Sequence, residues 1–165
     1  MEERIRNLVS FHSRVAVERM RDLPIFNERL EVEPVGFREF DGRRVGILIS
    51  PWFMNLILLP GAEDDWSGIS VGSSSTWKFP AGEYEFHAGD LDGVGPHYTA
   101  ALFSTVVDFP DQETARAVAQ GVMEELLAND ASRAPETVRK GGGDVLFDQT
   151  MSRRGLLRRV ILMPD

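Results

Sequence analysis

The residues best suited to chemistry between molecules fall in two neighbouring stretches. In "GAEDDW", residues 61–66, three carboxylates (Glu63, Asp64 and Asp65) stand directly before Trp66. Carboxylates take a guanidinium through paired hydrogen bonds and an indole stacks on its flat face, so this group is suited to receive arginine. Just upstream, "SPWFMN" places Trp52, Phe53 and Met54 in a row between Pro51 and Asn55. A strand turns successive side chains to opposite faces, so at least one of the three points away from any single core. Each large apolar side chain left in water forgoes roughly 1.5–3 kcal/mol. One reading is the wall of an apolar groove that binds a peptide, with Met54 supplying adaptability. The other is a buried strand covered by helices on both sides. A third group, "WKFPAGEYEF", carries Trp77 and Phe79 into a turn at Pro80. It extends the groove only if it lies beside Trp52; otherwise it is hairpin packing.

Covalent chemistry is less well provided for. The chain has no cysteine, which removes disulfides and thiolate metal sites. His12, His87 and His97 are far apart in sequence, and Glu83, Glu85, Asp90 and Asp92 form no catalytic motif with them. "GISVGSSS" lacks the lysine and spacing of a phosphate loop. A protein that is not an enzyme is therefore expected, with no metal and no cofactor.

The elements that must position these groups follow from periodicity. Ile5, Leu8, Val9, Val15, Ala16 and Met20 share one helical face with His12, predicting a helix over the first 20 residues that closes at Pro24. His12 then reads as a partly buried helix histidine. From residue 32 the period becomes strand-like. "VEPVGFREF" and "RRVGILIS" flank Asp41–Gly42, a strong hairpin signal. "NLILLP" is continuously apolar, as suits a strand buried on both faces. "TWKF", "PAG" and "EYEFHAG" predict a second hairpin, and "HYTAALFSTVVDF" a further strand. Ala115, Val118, Ala119, Val122, Met123, Leu126 and Leu127 predict a helix over 111–128, capped by Asp108 or Asp111, with Pro110 in its first turn. The expected fold is α+β: a mostly antiparallel sheet with the N-terminal helix and the helix at about 111–128 against one face of it.

At 165 residues and 42% apolar content the chain suits one domain with a real core, placed at residues 1–130. Residues 131–165 read as a polar, glycine-rich linker and a basic tail. Four arginines and one aspartate give residues 151–165 a charge of +3, leaving −11 on the rest of a chain whose total is −8. The acidic body argues against nucleic acid as a partner and favours basic partners, the tail included. The uncharged stretch at residues 47–62 is too short and too interrupted by proline and glycine for a spanning helix, so no stable membrane insertion and a cytoplasmic location are expected. The tail reads "MSRRGLLRR". Ser152, Arg153, Arg154, Leu156 and Leu157 imitate the opening of a twin-arginine export signal, at the wrong terminus. They are expected to occupy the chain's own groove, or else to form a solvated basic arm or a short amphipathic helix resting on anionic lipid.

In order along the chain, "RMRDLPIFNERLEVEPVGFREFDGRRVGILISPWFMNLILLPG", "FPAGEYEF", "LDGV" and "LFS" resemble the HybE/HupJ family of nickel–iron hydrogenase assembly chaperones. The resemblance runs from about residue 19 to about 127, with "PWFMN" and "FPAG" its most distinctive blocks. It implies an accessory protein for an uptake hydrogenase, holding an immature subunit until cofactors and partner are in place. The implied partner is the small-subunit precursor with its twin-arginine signal, with the large subunit or other maturation proteins as further candidates. The alternative is a scaffold for the mature part of a subunit that shields its metal clusters and ignores the signal. Some relatives carry a rubredoxin-like part with paired cysteines, which this chain lacks.

Overall fold

Asp41 and Gly42 both adopt positive φ (54° and 80°), the mirror-image turn whose twist matches a two-residue hairpin. They join β1 (Glu33–Phe40) to β2 (Arg43–Ser50), and Phe40 faces Arg43 across the turn. The structure is a computed structural model and describes residues 2–103 and 105–128. β3 (Phe53–Leu59) pairs with β2, then β4 (Ser74–Phe79), β5 (Gly82–Leu91) and β6 (Gly95–Ala101) form a second antiparallel meander. β6 returns to β3, giving one six-stranded antiparallel sheet in the order β1-β2-β3-β6-β5-β4. Helix α1 (Glu2–Val15) precedes the sheet and α2 (Gln112–Leu127) follows it.

The sheet is curled. In a flat sheet β1 and β4 would stand five strand spacings apart, about 24 Å. Instead the rings of Phe40 and Phe79 stack with centroids 5.4 Å apart. The concave face holds the main core, including Ile47, Met54, Leu56, Leu58, Tyr84, Phe86 and Tyr98, and α2 closes it with Val118, Ala119, Val122, Met123 and Leu126. Leu48, Ile57 and Leu59 point the other way, into a second core with Ile5 and Leu8 of α1.

The helices therefore lie on opposite faces, which corrects the expectation that both cover one. The physical reason is in β2 and β3, whose unbroken apolar runs leave neither face fit for water. A bulge seats α2: between Val35 and Arg38 the register of β1 slips against β2, and Gly36 takes φ +71°. A Cβ there would stand 2.9 Å from Cγ of Met123.

The predicted element ends move in three places. The N-terminal helix continues from Val15 into a wider π-helical turn, Ala16–Met20. Asp111 caps α2, its carboxylate accepting from Thr114 N–H at 2.7 Å, so Pro110 precedes the cap and does not sit in the first turn. β6 stops at Ala101, short of the strand expected through residue 109. Leu102 N–H is taken by the Met54 carbonyl, and the chain turns at Val106–Phe109.

Candidate functional site

Two aromatic groups flank the two ends of β3, about 23 Å apart at strand rise. The first is built on the turn between β2 and β3. Buried Ser50 accepts through Oγ from the N–H groups of Trp52 (3.1 Å) and Phe53 (3.0 Å), which fixes the turn. Met54 enters the concave core and is fully buried, while Phe53 packs toward α1. Trp52 is left half-buried, stacked on Phe26 at 6.4 Å and edge-on to Phe53 at 5.2 Å. His12 of α1 lies against both, 6.3 Å from Trp52 and 5.3 Å from Phe53 between centroids. Its Nδ1 donates to the Leu8 carbonyl at 3.0 Å. Burial holds its pKa below the ordinary value, outweighing that hydrogen bond, and the neighbouring His97 lowers it further.

Asn27 ties this group together. It is 3% exposed, and its backbone N–H donates to the Pro51 carbonyl at 2.8 Å. Its Nδ2 donates to the carbonyls of Val106 (2.9 Å) and Phe109 (3.0 Å), and its Oδ1 accepts from Arg29 N–H. Three segments distant in sequence are pinned by one residue, through its backbone N–H and its side-chain amide. Beside it an open cleft of about 310 Å³ is lined by Pro24, Phe26, Asn27, Glu28, Arg29 and Val107. Of the five large apolar side chains exposed among the described residues, Leu23 (43%) and Ile25 (47%) flank Pro24 of the cleft wall in sequence, Val107 (37%) lines the cleft, and Val17 (59%) lies on the preceding turn, Ala16–Met20. Exposed apolar side chains at such a cleft, with a half-buried tryptophan stacked on Phe26 of its wall, make this the candidate binding face.

The second group stands where β3 ends. Four strand spacings, about 19 Å in a flat sheet, separate β2 from β4. The curl nevertheless brings the Arg43 guanidinium to 4.8 Å from the Trp77 ring and 5.9 Å from that of Trp66. Trp66, Trp77 and Tyr98 form a triangle with centroids 5.0–5.7 Å apart. Arg43 Nη2 donates to Asp64 at 2.8 Å, and the other Asp64 oxygen accepts from Gly61 N–H at 2.7 Å. The Arg43 hydrogen bond leads in holding the Asp64 carboxyl below the usual range. The carboxylate-and-indole seat read from the sequence thus exists, and the chain's own Arg43 fills it.

The remaining candidates are distributed between these groups. Pro51 is buried in the turn beneath Trp52, and Asn55 is half-buried in β3. Glu63 and Asp65 are exposed, with Asp65 accepting from both N–H and Oγ of Ser67. Trp77 lies beside Trp66 and not beside Trp52; Phe79 is core, and Pro80 is exposed in the hairpin turn. The structure does not bring the acidic loop to Trp52. Phe26, Asn27, Glu28 and Val107 were missed from sequence. The one local signal was a polar asparagine between Ile25–Phe26 and Leu30. Ser152, Arg153, Arg154, Leu156 and Leu157 lie outside the described residues, as does the expected boundary at 130/131. Among the described residues no three metal-ligating side chains gather, and no helix is long and apolar enough to cross a membrane.

Residues 3–159 match the sequence model of a family described as [NiFe]-hydrogenase assembly, chaperone, HybE. The chain belongs to that family. The HybE match extends past both ends of the stretch recognised from motifs, taking in α1 and most of the basic tail. A relative from Rhodobacter capsulatus named probable rubredoxin HupJ is 41% identical over 127 residues, 77% of this chain. The chain spans 46% of that relative's length. The hydrogenase expression/formation protein HoxT of Azotobacter vinelandii is 36% identical over 157 residues, 94% of this chain and 95% of its own. The solution structure of HybE from Escherichia coli shares the fold, with a TM-score of 0.64 over 78% of this chain and 82% of that one, at 21% identity.

Proposed function

We propose that this member of the hydrogenase assembly chaperones works without catalysis, by holding an immature hydrogenase subunit on the apolar face around Trp52. The client in this reading is the small-subunit precursor, whose twin-arginine signal offers paired guanidinium groups followed by apolar residues. The observation that carries it is the Phe26–Trp52 stack beside an open cleft lined by exposed Val107, with Leu23 and Ile25 exposed on either side of Pro24 in the cleft wall. Apolar side chains there accept an apolar segment, and Glu28 in the cleft wall supplies a carboxylate beside them. Relatives named for hydrogenase expression and formation support the same class of client.

The second reading, a scaffold for the mature part of the subunit that shields its metal clusters, draws on the other site. Asp64 is committed to Arg43 and Gly61, so this carboxylate is already neutralised and is poorly placed to read a signal arginine.

Calorimetric titration with the cognate small-subunit precursor, with and without its signal, separates the two. Binding that vanishes with the signal supports the first reading; binding that survives supports the second. Trp52→Ala combined with Ile25→Asp is expected to weaken the signal-dependent interaction by at least about tenfold, since a central aromatic anchor and its rim are lost together. Unchanged affinity in a folded double variant would remove the face from consideration.

A further inference from the structure

We infer that the chain's own C-terminal segment, Ser152–Met163, docks on the Phe26–Trp52 face when no client is bound. The inference rests on the apolar face described above and not on the identity of the client. The segment has the matching chemistry: Arg153 and Arg154, then Leu156 and Leu157, then Val160, Ile161, Leu162 and Met163. Its apolar residues are of the kind that cover Leu23, Ile25 and Val107, each of which forgoes stabilisation while it stays in water.

Reach is satisfied as well. α2 starts beside the face, where Gln112 Oε1 accepts from Glu31 N–H at 2.8 Å and Phe109 is held by Asn27. The helix then runs 16 residues away, about 24 Å. Residues 129–151 follow, and 23 residues can reach up to about 76 Å, more than the length of the helix, so the segment can return to the face. Tethering at that span sets an effective concentration in the millimolar range, so a weak contact suffices to keep the face covered. Glu18, Asp22, Glu28 and Asp108 are exposed on the segments that form the face, alongside Arg19, Arg21 and Arg29. Near-balanced charge there leaves the apolar residues as the main source of affinity, with the arginines setting orientation. The family match, which continues to residue 159, includes the double arginine and both leucines.

Because the chain has no cysteine, Ser152→Cys gives a single attachment point for a nitroxide spin label on the full-length protein. The amide signals of Phe26, Asn27 and Val107 are expected to broaden strongly, and those of Trp77 and Lys78 to stay sharp. Adding Leu156→Asp and Leu157→Asp to the labelled chain should restore the broadened signals to at least half of their unlabelled intensity. Broadening that is absent, centred on the Trp66–Trp77 loop, or insensitive to the two leucine substitutions would overturn the docking. No hydrogenase subunit takes part, so failure of the client reading leaves this result unchanged, and the reverse also holds.

Discussion

Asn27 shows how much of the proposed binding face hangs on one amide. Its Nδ2 serves two carbonyls at once, those of Val106 and Phe109, and nothing else among the described side chains joins the 20–30 segment to the 105–109 turn in this way. Asn27→Ala is expected to cost about 1–3 kcal/mol in urea denaturation, because buried carbonyls lose their donors. It should also weaken client binding beyond what the lost stability explains, since Phe26 and Val107 lose their fixed spacing. That Trp52, Phe53 and Met54 part company was legible in the sequence, because three large apolar residues in a row cannot all enter one core. Asn27 was not, because its partners lie about eighty positions away and no periodicity links them. Arg43 teaches the same lesson from the other side. The residues "EDDW" announced a seat for a guanidinium, but nothing local revealed that the guanidinium arrives from the β1–β2 turn.

At the scale of elements, the bulge in β1 decides where α2 can sit. Gly36 holds positive φ with Met123 packed against the place where a side chain would begin. Gly36→Ala is expected to lower stability by about 1–3 kcal/mol through backbone strain alone, read as a lower denaturation midpoint with an unchanged slope. The Asp41–Gly42 hairpin, the β4–β5 hairpin and α2 were all legible, because turn chemistry and helical period are local. The placement of the helices was misread. The cue was present in Ile47–Ser50 and Leu56–Leu59, eight positions without an exposed residue, which demand cover on both faces. The early end of β6 left no such cue, since "LFSTVVDF" has strand composition and the Asn27 hydrogen bonds to Val106 and Phe109 come from about eighty positions away.

For the whole molecule, acid should act in two stages. Burial is the leading cause that lowers His12 and His97 below 6.5, against opposing hydrogen bonds to Leu8 and Gly95. The folded protein therefore binds a proton at these sites less readily than the unfolded chain. Stability is complete above about pH 6.5 and declines as pH falls from there toward the folded values. Glu33 is lowered chiefly by its hydrogen bond from Arg116, and its contribution is held above 4.5 and lost as pH falls through its folded value. Melting temperatures should thus be level above about pH 7, slope downward below 6.5, and steepen again below 4.5. The double variant His12→Gln, His97→Asn should flatten the first slope and leave the second. A slope unchanged by these substitutions would place the titrating groups elsewhere. The curled sheet also bears on how such a protein survives its work. A chaperone waits beside incompletely folded chains, and any open strand edge would invite them to add to it. Here β1 is broken by a bulge and carries Pro34, while β4 is six residues long, bears Lys78 and ends at Pro80. Phe40 and Phe79 draw those two edges together at one corner. Clients can then be held by side chains and let go, without being knitted into the sheet and lost as fibre.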